Sequence, residues 1–195
     1  MRWTRGVISA AMITTAVVGP STAAQAAPSP TAPVNGVYAQ FAGKTINMKN
    51  GWDGAQTCVV HSRTLVQCYA SAAAADKALG YSPATDPLVR KAAADGVTAF
   101  APPSCASGYV CLWAAINGGG RRLIFRDDYW QDLRPYAFHN EISSWRNNQS
   151  TRDFAWLKDI HGGGPAPDEF LLTSPGEYVA NVGARWNDVA DYVEG

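Results

Sequence analysis

The stretch CASGYVCLWAAINGGGRRLIF, residues 105–125, decides the fold of the second half of this chain. Two β-prone segments, 109–113 and 121–126, flank three consecutive glycines, which is typical of strands joined by a tight turn. Gly120 is suited to that turn because glycine adopts positive φ angles without steric cost. Further β-prone segments at 170–173 and 178–182 follow clusters of Gly, Asn, Asp and Pro. Residues 104–195 are therefore predicted to form a compact antiparallel sandwich.

The chain contains four cysteines, Cys58, Cys68, Cys105 and Cys111. An even number of cysteines in an exported protein indicates disulfides. Four cysteines allow three pairings, and the neighbouring pairs Cys58–Cys68 and Cys105–Cys111 are favoured because each closes a short loop. A metal site is the alternative, and it is disfavoured because neither a C-x-x-C spacing nor a nearby pair of histidines occurs.

The N-terminus has the pattern of a cleavable signal peptide. Arg2 and Arg5 precede an uncharged, mostly apolar stretch at 6–19, and an A-x-A cleavage signal lies at 24–26. We predict a signal peptide at 1–26, a Pro-rich linker at 27–35 and a secreted, extracellular protein. The apolar stretch is too short to span a bilayer comfortably, and no later segment is apolar enough to do so.

Residues 36–100 are predicted to form a small α+β domain. The segment 58–69 has the pattern of a hairpin in which Cys58 faces Cys68. Ser71 is a predicted N-cap for a helix over 72–79. A second short helix is predicted after Asp86-Pro87, because Asp is a good cap and Pro fits the first helical position. The fold class is therefore mainly β, with a C-terminal sandwich preceded by this α+β segment.

The composition of the chain limits the classes of function that it can have. Of 195 residues, 47% are hydrophobic and 16% are charged, and the formal net charge is zero. Such a chain can bury a core. It lacks the basic surface that nucleic-acid binding requires. We expect no nucleic-acid partner, no membrane span and a monomer.

Several motifs in the second half resemble one family. The opening C-x5-C-L-W at 105–113, the segment FHNEISSW at 138–145 and the segment RWNDVADY at 185–192 carry the resemblance. Over residues 104–192 the chain resembles the secreted bacterial peptidase-inhibitor family with a βγ-crystallin-like fold, which includes a metalloproteinase inhibitor. The resemblance implies a secreted proteinase inhibitor that docks an exposed loop into the cleft of an extracellular protease. Candidate loops are 159–168 and 146–153, and the sequence does not decide between them.

The resemblance also implies a calcium site. A crystallin calcium loop has two Asn or Asp residues, two variable residues, then Ser or Thr and Ser. Residues 139–144 and 187–192 resemble this pattern, although His139, Asp191 and Tyr192 depart from it. The implied ligands are the side chains of Ser143 and Asp191 and carbonyl groups near Asn140 and Asp188. The same residue types form Asx and Ser/Thr turns without a metal, so a metal-free structural loop is the alternative.

No catalytic motif supports an enzyme. The chain lacks G-x-S-x-G, H-E-x-x-H, a P-loop and a G-x-G-x-x-G fingerprint. The alternative to an inhibitor is a non-catalytic extracellular binding module of βγ-crystallin type, stabilised by calcium, with exposed aromatic side chains that stack on sugars. An extracellular hydrolase is the third hypothesis. Most tryptophans are expected in the core, because each buries a large area. Those of the second half are Trp113, Trp130, Trp145, Trp156 and Trp186.

Overall fold

The computed structural model describes residues 35–97, 102–126, 128–161 and 168–195. The predicted signal peptide, residues 1–26, and residues 27–34 of the predicted linker lie outside the described residues, so both stay predictions. The described residues all fall within one unit that spans Pro33–Gly195. In the part of the chain that the structure describes, no helix is long and apolar enough to cross a membrane.

Strands dominate the described residues. The first half contains β1 (Tyr38–Phe41), β2 (Lys44–Asn47), β3 (Thr57–Ser62), β4 (Leu65–Tyr69), α1 (Ala72–Ala78) and α2 (Pro87–Ala94). The second half contains β5 (Tyr109–Ala115), β6 (Gly119–Phe125), β7 (Gln131–Asp132), β8 (Ser144–Asn148), β9 (Ala155–Asp159), β10 (Glu169–Thr173), β11 (Tyr178–Val179) and β12 (Tyr192–Glu194). Short 3-10 helices lie at Met48–Asn50, Pro83–Thr85, Ile116–Gly118 and Arg134–Tyr136.

Among these described strands, eight form one sheet and four form another. The larger sheet has the order β11-β8-β5-β6-β3-β4-β1-β2, and the smaller has the order β10-β9-β12-β7. Most neighbouring strands are antiparallel, but β3 pairs with β6 in parallel, and β1 pairs with β4 in parallel. The predicted fold class, mainly β with a preceding α+β segment, is confirmed. The β3–β6 pair places residues from both halves of the chain in one sheet.

The central strands of the larger sheet bury both faces. In β5, Val110 and Leu112 belong to one hydrophobic core, whereas Cys111 and Trp113 belong to a second core on the opposite face. The first core also contains Leu157 of β9 and Val193 of β12, so it lies between the two sheets. The second core includes Ala75 of α1, so the helical segment covers the other face. Successive side chains of a strand point to opposite faces, which produces this division.

The glycine run joins β5 to β6 in a tight folded hairpin. Gly120 has φ +73°, as predicted from the sequence. Gly118 has φ +72°, and a Cβ atom on it would lie 2.3 Å from Cγ of Pro103, so a side chain is excluded there. The hydroxyl of Ser144 secures the turn, because it donates to the carbonyl of Ala115 (2.7 Å) and accepts from the N–H of Gly118 (3.0 Å).

Both predicted disulfides form. Cys58 and Cys68 are directly opposite each other in the β3–β4 pair, with Cα atoms 4.0 Å apart. Cys105 and Cys111 are bonded with Cα atoms 5.9 Å apart. The favoured pairing of neighbouring cysteines is confirmed. One bridge staples the hairpin of the first half, and the other ties the chain entering β5 to the strand itself.

The two predicted helices form with the predicted caps. The Ser71 hydroxyl accepts from the N–H of Ala74 (3.2 Å), and the Asp86 carboxylate accepts from the N–H of Leu88 (3.0 Å). Within α1 and α2, which the structure describes in full, Ala75 is the one buried residue. Leu79 and Tyr81, between the two helices, are partly buried against the second core, so apolar burial attaches this segment only in part.

Two buried ion pairs also attach the helical segment. Arg146 of β8 makes a bidentate pair with Asp86, with Nη–Oδ distances of 2.6 and 2.8 Å, and both side chains are at most 1% exposed. Arg122 of β6 pairs with Asp76 of α1 at 2.8 Å and donates to the carbonyl of Ala72. A buried charge needs a hydrogen-bonded partner, so each arginine requires its carboxylate. The helices are thereby held in one orientation on the sheet.

Replacing Arg146 with Met should destabilise the fold by about 3–5 kcal/mol, because it leaves Asp86 buried without its cation. Lys91→Met is the matched control, since it removes the cation of the exposed Lys91–Asp95 pair, in which the two side chains are 71% and 49% exposed. That change should cost about 0.5 kcal/mol or less. Urea unfolding followed by tryptophan fluorescence measures both. Equal costs for the two variants would contradict the anchoring role of Arg146.

Tyr81 should make stability depend on alkaline pH. Burial, together with the hydrogen bond that its hydroxyl donates to Asp86 (2.9 Å), raises the pKa of Tyr81 from 10.0 to about 12. Because the folded-state pKa exceeds the unfolded value, the neutral hydroxyl stabilises the folded state below pH about 10, and this contribution is lost as the pH rises toward 12. Tyr81→Phe should therefore lose less stability than the wild type between pH 9 and pH 11.

Unfolding free energies at the two pH values test this expectation. Tyr38→Phe, at an exposed tyrosine, is the control and should follow the wild type. Parallel pH curves for Tyr81→Phe and the wild type would show that Tyr81 does not contribute.

Candidate functional site

The two calcium-like segments, residues 139–144 and 187–192, lie against each other; we call them the paired loops. The N–H of Asn140 donates to the carbonyl of Ala190 (3.1 Å), and the N–H of Asp188 donates to the carbonyl of Ile142 (3.2 Å). Asn140 and Asp188 both have left-handed backbones, with φ of +56° and +57°. The fold therefore brings together the four residues that the resemblance implies as calcium ligands. They are Asn140, Ser143, Asp188 and Asp191.

The side chains of Asp191, Asp188 and Ser143 already have partners within the protein. Asp191 Oδ1 contacts His139 Nε2, and Asp191 Oδ2 accepts from the N–H of Ile160 at 2.6 Å. The Asp188 carboxylate accepts from the side-chain amide of Asn187 (2.6 Å), and its other oxygen lies 3.5 Å from the Ser143 hydroxyl.

At the Asp191 end, this donor set does not fit calcium, which requires six to eight oxygen ligands. At Asp191, an imidazole nitrogen and a backbone N–H take up the carboxylate. Over the described ranges, no group of three or more His, Cys, Asp or Glu side chains is arranged to hold a metal ion.

The candidate loop 146–153 divides into two parts. Its first residues belong to β8 and are mostly buried, whereas Ser150, Thr151 and Arg152 are exposed. Arg152 has φ +79°, and the N–H of Asp153 donates back to the carbonyl of Ser150 (3.2 Å). Phe154 follows, also exposed. Residues 150–154, here called the exposed loop, thus form a tight and largely exposed turn.

Asn147 supports the exposed loop from beneath. Its fully buried side-chain amide donates to the carbonyls of Asp153 (2.8 Å) and Thr173 (3.2 Å), and its Oδ1 accepts from the N–H of Gln149 (3.0 Å). These bonds connect both ends of the turn to strand β10. Buried hydrogen bonds of this kind restrict the backbone, so the loop is preorganised.

Acidic groups lie beside the exposed loop. Burial, followed by the negative charge of Asp128, raises the pKa of Asp153 above its ordinary value. The same two causes raise the pKa of Glu194 at the end of β12. These acidic groups contrast with the exposed guanidinium of Arg152 in the loop.

The outer face of the smaller sheet is aromatic. Trp156 and Leu172 are opposite each other in the β9–β10 pair, and Phe170 points to the same side two residues earlier. The Phe170 ring lies 6.0 Å from the ring of Trp130 and 6.5 Å from that of Trp156. Trp130, Trp156, Phe170 and Leu172 together are called the aromatic face. Among the described residues, this face and Phe154 account for four of the eight large hydrophobic side chains that are exposed.

The expectation that most tryptophans of the second half are core residues is met by three of the five. Trp113, Trp145 and Trp186 are buried, whereas Trp130 is 36% exposed and Trp156 is half-buried on the aromatic face. The sequence contained a signal for this surface. The segments FAWLK at 154–158 and EFLLT at 169–173 place large apolar groups at alternate positions, so one side of each strand faces outward with hydrophobic residues.

The other candidate loop, 159–168, is described only at its ends. Residues 162–167 lie outside the described residues, so a role for this loop stays a prediction. At one end, Asp168 pairs with Lys158 of β9 at 2.8 Å. The hydrogen bond from Lys158 lowers the pKa of the Asp168 carboxyl. The Lys158 ammonium also lies 5.4 Å from the centre of the Phe170 ring, beside the aromatic face.

The chain is similar to two solved structures and to one family profile. A solved structure reported as "Evolution of the eye lens beta-gamma-crystallin domain fold" is 18% identical, with a TM-score of 0.37, covering 47% of this chain and 88% of that one. The N-terminal domain of protein S is 11% identical, with a TM-score of 0.32, covering 44% of this chain and 92% of that one. No similar sequence was found among curated proteins. The sequence profile of peptidase inhibitor family I36 matches residues 98–166, which confirms over this segment the resemblance that the motifs indicated.

Proposed function

We propose that this protein is a secreted, non-catalytic proteinase inhibitor whose partner is an extracellular protease. The observation that carries the proposal is the match of residues 98–166 to a peptidase inhibitor family. That segment contains the exposed loop and the strand β8 that supports it. Inhibition by docking needs a rigid surface that fits a protease cleft, and it needs no catalytic residues.

The exposed loop is the proposed element that enters the cleft. An inhibitor loses affinity when its contact loop must be ordered on binding, so a preorganised loop is an advantage. The hydrogen bonds of Asn147 and the turn that closes between Ser150 and Asp153 favour this loop. Phe154 and Arg152 offer one large apolar side chain and one cation to a protease subsite.

The aromatic face supplies a proposed flanking contact. Exposed apolar patches on soluble proteins mark interaction sites, and aromatic residues are enriched at the centres of protein interfaces. The exposed loop leads directly into β9, which carries Trp156. Loop and face therefore form a continuous surface for a protein partner.

Two further features support the extracellular, non-catalytic assignment. The disulfides Cys58–Cys68 and Cys105–Cys111 are typical of proteins in oxidising compartments. They also leave no free thiol as a nucleophile among the described residues. The predicted signal peptide at 1–26 fits export of such a protein.

An extracellular binding module, calcium-stabilised or not, is the second candidate function, and the exposed Trp130 and Phe170 favour it. Sites that bind sugars through aromatic side chains stack the sugar ring on a flat aromatic surface. The Phe170 ring, however, meets the rings of Trp130 and Trp156 at 62° and 88°. These edge-to-face contacts favour a protein partner over a flat glycan.

Substitutions in the exposed loop should weaken protease inhibition more than substitutions elsewhere on the surface. With a panel of metallo-, serine and cysteine proteases, micromolar protein should slow at least one progress curve. Phe154→Ala should weaken that inhibition about tenfold or more, because a buried apolar anchor contributes at least ~1.4 kcal/mol to binding. Leu65→Ala is the matched control, since Leu65 of β4 is similarly exposed (53% against 47%) but lies in the larger sheet.

The proposal would be abandoned if the wild type slowed no protease in the panel. If wild-type inhibition is present but Phe154→Ala and Leu65→Ala inhibit equally well, the exposed loop is not the contact. Heat on titration with soluble glycans, without protease inhibition, would support the binding module instead.

Asn147→Ala should convert the inhibitor toward a substrate. Without the amide, the carbonyls of Asp153 and Thr173 lose their donor and the exposed loop loosens. We expect weaker inhibition and cleavage within residues 150–154 by the inhibited protease, detected by mass spectrometry. Asn148→Ala is the control, because Asn148 donates to the carbonyl of Cys105 and not to the loop. An Asn147→Ala loop that stays intact would argue against preorganisation by this residue.

A further inference from the structure

We propose that the side chain of His139 occupies the place of a metal ion at one of the two points where the paired loops meet, here called junctions. At this junction the protein closes the two loops with its own side chain, and a calcium site arises there only when His139 is replaced by a residue with an oxygen ligand. The paired loops then serve as a structural clasp whose closure does not depend on calcium.

The symmetry of the paired loops defines two equivalent junctions. Each junction joins the first residue of one loop to the fifth residue of the other. His139 and Asp191 are in contact at the first junction. Asn187 and Ser143 occupy the corresponding positions of the second, where Ser143 Oγ lies 3.5 Å from Asp188 Oδ1. The backbone hydrogen bonds Asn140 to Ala190 and Asp188 to Ile142 relate the two halves in the same way.

The first junction is filled by a direct contact. His139 Nε2 of one loop contacts Asp191 Oδ1 of the other. The second oxygen of Asp191 is bound to the N–H of Ile160 at 2.6 Å. Both oxygens of the carboxylate are therefore engaged, and the imidazole links the loops as a bound cation would.

The chemistry of this donor set excludes a calcium ion in the same place. Calcium is a hard cation that takes oxygen ligands, whereas imidazole nitrogen suits transition metals. A calcium ion would have to displace His139 from Asp191 and would gain no ligand in exchange. Replacing His139 with Asp supplies a second carboxylate opposite Asp191 and removes the competing donor.

The second junction has no such blocking group. Its side chains are Asn187, Asp188 and Ser143, which offer oxygen atoms, and Asp188 is exposed. His139 therefore blocks the first junction alone. An experiment must distinguish an ion bound at the first junction from one bound at the second.

Calorimetric titration with calcium chloride and thermal melts of the full chain test the proposal. His139→Asp should bind one more calcium ion than the wild type. Its melting temperature should rise by about 5 °C or more at calcium a hundredfold above the dissociation constant. His139→Asn is the second variant, because it supplies an oxygen without a second carboxylate. If His139→Asp does not fold without calcium, His139→Asn can still be titrated with calcium. His61→Asp, at a histidine of β3, is the matched control and should gain no site.

Two results would overturn the proposal. One is a wild-type calcium site that Asp191→Asn abolishes, since the first junction would then hold the ion despite His139. The other is the absence of an additional calcium site in both His139→Asp and His139→Asn when each is folded. Calcium binding by the wild type that survives Asp191→Asn, together with one extra site in His139→Asp, would agree with it.

Discussion

Two arginines buried on the helix-facing side of the larger sheet constrain the rest of the structure. Arg122 and Arg146 lie at positions where a strand with both faces covered usually carries an apolar residue. Each is stable there only with a carboxylate, and both carboxylates come from the helical segment of the first half, at Asp76 and Asp86. The second half cannot bury these arginines without the first. Pairing of β3 with β6 in parallel adds a backbone connection between the same two halves.

The same sheet positions the candidate contact surface. In β8, Arg146 faces the helices, while the next residue, Asn147, holds the exposed loop and β10. Adjacent residues of one strand thus couple the attachment of the helical segment to the geometry of the loop. The smaller sheet uses its inner face for the core, and none of the described residues covers the aromatic side chains on its outer face, so those of β9 and β10 are available to a partner.

In the paired loops, the backbone geometry and the capacity to bind a metal ion depend on different atoms. Asn140 and Asp188 adopt the left-handed conformation that Asn and Asp tolerate, and the two loops bond to each other through main-chain groups. None of these features requires an ion. Whether an ion binds depends on which atoms face the junctions, and at one of them an imidazole nitrogen faces Asp191. Similarity of a loop motif therefore indicates the backbone shape more reliably than the ligand.

The sequence by itself determined the features that depend on short separations along the chain. These are the disulfides Cys58–Cys68 and Cys105–Cys111, the caps at Ser71 and Asp86 and the tight turn at Gly120. Each follows from spacing and from the local preferences of a few residues. Tertiary structure decided the pairing of Arg146 with Asp86, which are 60 residues apart, the exposure of Trp130 and the contact of His139 with Asp191. Those contacts join segments distant in the chain, and local preferences do not specify which distant groups will meet when both faces of a sheet are buried.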